Sequence, residues 1–85
     1  MRLIRTRSGR FLNIDHIIAL SIEETKIEIE GKKRVVYKVV AYMSYPLLPA
    51  VLGIYFNEDK ARDTLENIVE QIIQEKKLIV VESEC

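Results

Sequence analysis

The run Lys26-Ile27-Glu28-Ile29-Glu30 alternates charged and apolar residues, the pattern of an extended strand with one dry and one wet face. The pattern of the preceding residues predicts further strands. Leu3 to Arg7 and Arg10 to Ile14 are two extended runs joined at Ser8-Gly9, where Gly9 supplies the positive φ that a tight hairpin needs. Asn13 and Asp15 suit a turn because their side chains bond nearby backbone. Ile17 to Glu23 then reads as a third strand with Ile18, Leu20 and Ile22 on one side, broken at Glu24-Thr25. After a Gly31-Lys32-Lys33 turn, Arg34 to Tyr45 is a long β-branched and aromatic run, apolar on both faces apart from Lys38. That places it at the centre of a sheet.

The period changes at Asn57. Ala61, Leu65, Ile68, Val69, Ile72 and Ile73 fall on one stripe at helical spacing. Asn57 is a good N-cap, Glu58 and Asp59 complement the helix dipole at its start, and Lys76-Lys77 complement it at the end, so the helix is expected over Asn57 to Lys77. Leu78 to Val81 is short, largely β-branched and followed by Glu82-Ser83-Glu84, which favours a closing strand, paired within the chain or exchanged with a second copy.

Val39 to Phe56 carries no formal charge over eighteen residues, long enough for a membrane span to be weighed. Pro46 and Pro49 oppose a helix interior, and the segment opens with the β-branched pair Val39-Val40. A strand, a turn over Pro46-Leu47-Leu48-Pro49 and a strand from Ala50 to Phe56 fit it better. Tyr45, Leu47 and Leu48 then sit on a connection, as a candidate protein interface or as a lid on the chain's own sheet.

The resulting expectation is one α+β domain spanning residues 1–85: an antiparallel meander of five or six strands, the C-terminal amphipathic helix packed on one face, and a short final strand. The apolar fraction of 48% is enough to build a core at this length. Cys85 is the lone cysteine, so no internal disulfide forms, and Met1 to Arg7 lacks the apolar run of a secretory signal; both favour a cytoplasmic protein.

Candidate chemistry is sparse. Asp15-His16 pairs an acid with an imidazole but has no nucleophile in any recognisable motif, so no catalytic residue is assigned and an enzyme is not expected. One His and one Cys cannot complete a structural zinc site, and the isolated Gly9, Gly31 and Gly53 form no phosphate-binding loop; no metal or cofactor is implied.

The net charge is zero, yet residues 1–45 hold nine Lys/Arg against five Asp/Glu (+4) and residues 46–85 hold four against eight (−4). Arg2, Arg5, Arg7 and Arg10 on the first hairpin, with Lys32, Lys33 and Arg34 in another turn, are the candidate contacts for nucleic acid. Cationic edge strands also serve to prevent aggregation.

Asn13-x-x-x-Ile17 followed by Gly31-Lys32-Lys33 before a Val-Val strand resembles the short swarming-motility proteins encoded in flagellar operons, over about the first half of the chain. The uncharged segment and the full helix depart from that pattern, and the resemblance assigns no functional residue. The favoured reading is a small non-enzymatic interaction or regulatory module that forms a homodimer or binds another protein. Nucleic-acid binding is the alternative, and a membrane location is disfavoured.

Overall fold

A computed structural model describes residues 1–44 and 49–84. Among the described residues, six strands, one helix and a single 3-10 turn follow one another: β1 (Leu3–Arg5), β2 (Phe11–Asn13), the 3-10 turn Ile14–His16, β3 (Ile17–Ile29), β4 (Lys32–Met43), β5 (Ala50–Tyr55), α1 (Glu58–Ile73) and β6 (Leu78–Val80). The class is α+β, and the strands form two sheets. A long antiparallel sheet has the order β3-β4-β5, with β4 central, and a short one has the order β2-β1-β6. The final strand does not close the meander: β6 pairs parallel with β1, Ile4 opposite Ile79.

Local chemistry sets each connection. Between β1 and β2, Gly9 sits at φ +87° and donates its N–H to the Thr6 carbonyl at 3.0 Å, and the Thr6 hydroxyl accepts the Arg10 N–H. Asn13 accepts the Asp15 N–H at 2.9 Å, closing the 3-10 turn. The turn between β3 and β4 is Glu30-Gly31, both at positive φ, which is the two-residue hairpin geometry that matches strand twist. Lys32 and Lys33 therefore lie on β4 and not in the turn. Glu24-Thr25 does not interrupt the chain either: β3 runs through it, because both residues find ladder partners on β4.

Asn57 caps α1, accepting the Asp59 N–H at 2.8 Å. The helix stops at Ile73, four residues short of the expected end. Glu75 takes a left-handed conformation (φ 59°) and donates to the Ile72 carbonyl while Lys76 donates to that of Gln71, a Schellman termination. The positive charge at this end comes from a distant residue. The Arg2 guanidinium donates to the carbonyls of Ile72 (2.6 Å) and Lys76 (3.2 Å).

The helix and the short sheet pack on the same face of the long sheet. Ile4, Leu12 and Ile79 from the short sheet meet Val39, Ala41 and Leu52 from the long one, with Ala61 and Ile68 from the helix. Two bulges tune this face. Between Ile17 and Ala19 the ladder skips Ile18, so Ile17, Leu20 and Ile22 pack against the core and Ile18 is left 68% exposed, not aligned with Leu20 and Ile22 as the simple alternation implied. Between Gly53 and Val51 the extra residue is Leu52, which is buried. The eighteen-residue uncharged segment contributes the end of β4 and all of β5, and no helix among the described residues is long and apolar enough to cross a membrane.

Candidate protein-interaction surface

The two edges of the long sheet differ. Along β5 the chain's own C-terminal segment supplies partners. The Ile54 N–H donates to the Ser83 hydroxyl, the Glu84 N–H to the Ile54 carbonyl at 3.0 Å, and the Phe56 N–H to the Glu84 carboxylate. Arg7 holds the same segment by donating to the Ser83 carbonyl at 2.8 Å. These bonds cover the Ile54–Phe56 end of that edge. The edge of β3 is bonded only to β4, and no strand among the described residues lies against its other side. It also lacks proline, and its single bulge lies at its first residues.

Sheet support ends early along the same hairpin. The pairing of β5 with β4 stops at Tyr37 opposite Tyr55, so from Thr25 and Val36 onward the β3–β4 hairpin continues as a two-stranded ribbon. This projection helps give the molecule extents of 43 × 25 × 21 Å. The dry face expected for Ile27 and Ile29 is covered only in part: Val36 on that face is buried and Ile27 half-buried, but Ile29 is 37% exposed, and on the opposite face Val35 is also more than a third exposed. A two-stranded ribbon is marginal in water on its own.

At the other end of β3 an open groove of about 270 Å³ runs between the strand and the helix, with Ile14, Ile17, Leu20 and Val69 among its lining and Ile18 and Ile73 standing out into solvent. Val69 and Ile73 belong to the apolar stripe of the helix, which is not buried along its whole extent. Ala61 and Ile68 are buried, whereas Ile73 is 74% exposed.

Three phenols mark the sheet electrostatically. Tyr42 donates to the Glu23 carboxylate, and that bond, then burial, raises its pKa. Tyr37 is raised by burial and then by the nearby carboxylates of Glu24 and Glu58. Tyr55 is raised mainly by burial, and its hydroxyl donates to the Glu82 carbonyl.

The expected interface residues Tyr45, Leu47 and Leu48 lie outside the described residues. The seven candidate nucleic-acid contacts are not brought together. Arg2 closes the helix, Arg7 holds the C-terminal segment, and the Arg34 guanidinium lies over the Phe56 ring at 4.5 Å. Arg5 and Arg10 are exposed near the first hairpin, whereas Lys32 and Lys33 stand at the ribbon end. Lys32 is seven residues along β4 from Val39, whose partner Gly53 lines the same hollow as Arg7, a separation of roughly 23 Å along the strand.

One pairing escaped sequence reasoning. The His16 Nδ1 lies 3.3 Å from the Ser44 hydroxyl, and the Ser44 N–H donates to the His16 carbonyl. Ser44 is twenty-eight positions away and its proximity follows only from the β3–β4 register. Both residues are exposed at strand ends. Among the described residues no group of three or more His, Cys, Asp or Glu side chains gathers to hold a metal.

No protein-family model, curated protein or solved structure matches this chain.

Proposed function

We propose that this chain is a small non-enzymatic protein-interaction module that works by strand addition and associates with copies of itself. One observation carries the reading: the C-terminal segment bonds the Ile54–Phe56 end of the β5 edge, while no strand among the described residues lies along the thirteen-residue β3 edge, which ends in a ribbon with only two strands. An added strand would satisfy the free backbone groups of β3 and give the ribbon a third strand. The nucleic-acid alternative has fewer free cations than the sequence count implies, since three of the seven candidates already hold internal partners.

Backbone amide hydrogen exchange, followed as the protein is concentrated, tests the reading. The expected result is that alternate β3 amides, those facing away from β4, become protected as concentration rises while the protection of β4 stays unchanged. Equally fast exchange of those amides at all concentrations would contradict it.

A further inference from the structure

We infer that the partner on this edge is a second copy of the chain, paired antiparallel through β3 about a two-fold axis at Thr25. The inference rests on the self-association reading above and specifies its surface and register.

A two-fold axis perpendicular to a sheet keeps each side chain on its own face, so facing residues must have the same parity and the axis must fall at a residue position. The charges along β3 then discriminate among the possible positions. An axis at Glu23, Glu24, Lys26 or Glu28 sets that residue against its own copy, like charge on like charge. An axis at Ile27 pairs Lys26 with Glu28 but also sets Glu24 against Glu30. An axis at Ile22 brings no opposite charges together.

At Thr25 the two threonines face each other, and Glu24 of each copy faces Lys26 of the other, giving two symmetric ion pairs and no like-charge pair. Opposite charges and threonine pairs directly across a ladder are both stabilising, and like charges are not. Glu24 and Lys26 are available for this role: both are exposed, and neither forms an ion pair within the chain among the described residues. Within the chain the Glu24 carboxylate also lies beside the Tyr37 hydroxyl, whose pKa it helps to raise.

The register has two structural consequences. Facing residues run from Ser21 opposite Ile29 to Ile29 opposite Ser21, so each ribbon gains the other copy's β3 as a third strand along its exposed length. The two long sheets merge into one of six strands, with the β5 edges on the outside. Leu20 falls opposite Glu30, which places the ribbon end of each copy beside the apolar groove of the other. The helices sit at opposite ends of the paired strands and do not meet, because each packs near the groove end of its own β3.

Charge reversal and cross-linking together test the proposal. Glu24→Lys alone and Lys26→Glu alone each turn both ion pairs into repulsions, and self-association measured by sedimentation is expected to weaken roughly tenfold or more. The double variant Glu24→Lys/Lys26→Glu restores the pairs and is expected to recover the wild-type constant. In a Cys85→Ser background, Thr25→Cys brings two Cβ atoms within about 4.5–5.5 Å across the axis and is expected to form a covalent dimer on air oxidation. Ile27→Cys, displaced from its copy by roughly 13 Å, is expected to remain uncross-linked. Circular dichroism confirms that each variant is folded before it is compared. A dimer that is indifferent to both reversals, and whose Thr25→Cys variant does not cross-link, overturns this register and leaves self-association standing. A chain that stays monomeric throughout overturns both.

Discussion

Gly53 is buried on the core face of β5, and the ring of Tyr55 lies across the space where a side chain would begin. A Cβ at this position would come within 2.9 Å of the ring carbons Cε2 and Cζ. Gly53→Ala therefore has to displace the Tyr55 ring and its bond to the Glu82 carbonyl, which anchors the C-terminal segment. The expected cost is about 1–3 kcal/mol in urea unfolding, and Tyr55→Phe, which keeps the ring, is expected to cost less. Sequence inspection finds an isolated glycine here and supports only a turn or bulge; the ring that excludes a Cβ comes from two residues along the same strand. The phenols supply a second residue-scale test. Tyr37, Tyr42 and Tyr55 are held neutral by the fold, with pKa values above the ordinary 10.0. Their contribution to stability is complete below about pH 10 and is lost as pH rises through the raised values. Absorbance titration of tyrosinate is expected to show these groups ionising above pH 10 in the native protein, with the unfolding midpoint falling over the same interval. A midpoint that stays flat there would contradict the assignment.

The helix and strands differ in how far local pattern determines them. The start of α1 was legible because Asn57, Glu58 and Asp59 act within one turn. Its end was not, since Lys76-Lys77 imitate a basic last turn while the working cation is Arg2, seventy residues earlier in sequence from the Ile72 carbonyl it caps. The apolar stripe correctly marked a buried face but not its width. Ile68→Ala empties a fully enclosed position and is expected to cost about 2–5 kcal/mol, whereas Ile73→Ala at the exposed end is expected to stay within about 0.5 kcal/mol. Equilibrium denaturation of the two variants under conditions that keep the protein monomeric separates them. Among the strands, the central place of β4 was readable from its two apolar faces. The split into two sheets was not: β1 and β6 meet as parallel neighbours across more than seventy residues, and such long-range pairing leaves no local mark. Ile18 shows the same limit on a smaller scale, because a single bulge moved it out of the alternation that placed it beside Leu20.

At the scale of the whole molecule, part of the basic excess counted in the first half of the sequence has partners within the fold. Arg2, Arg7 and Arg34 contact a helix end, a C-terminal segment and an aromatic ring, so three of the nine basic residues in the first half also serve the fold. What remains is an asymmetry between sheet edges, one bonded at its Ile54–Phe56 end by the C-terminal segment and one open along a strand whose charges complement their own antiparallel copy. That asymmetry could not be read from the sequence while Ile17 to Glu30 looked like two strands with a break at Glu24-Thr25, since the proposed axis falls within the supposed break. The most direct test is the absolute mass in solution by light scattering over a wide concentration range, with reductant present to exclude cross-links through Cys85. The account predicts a mass that rises with concentration from 9.9 kDa to a plateau at twice that value. A mass fixed at 9.9 kDa across the range would contradict it.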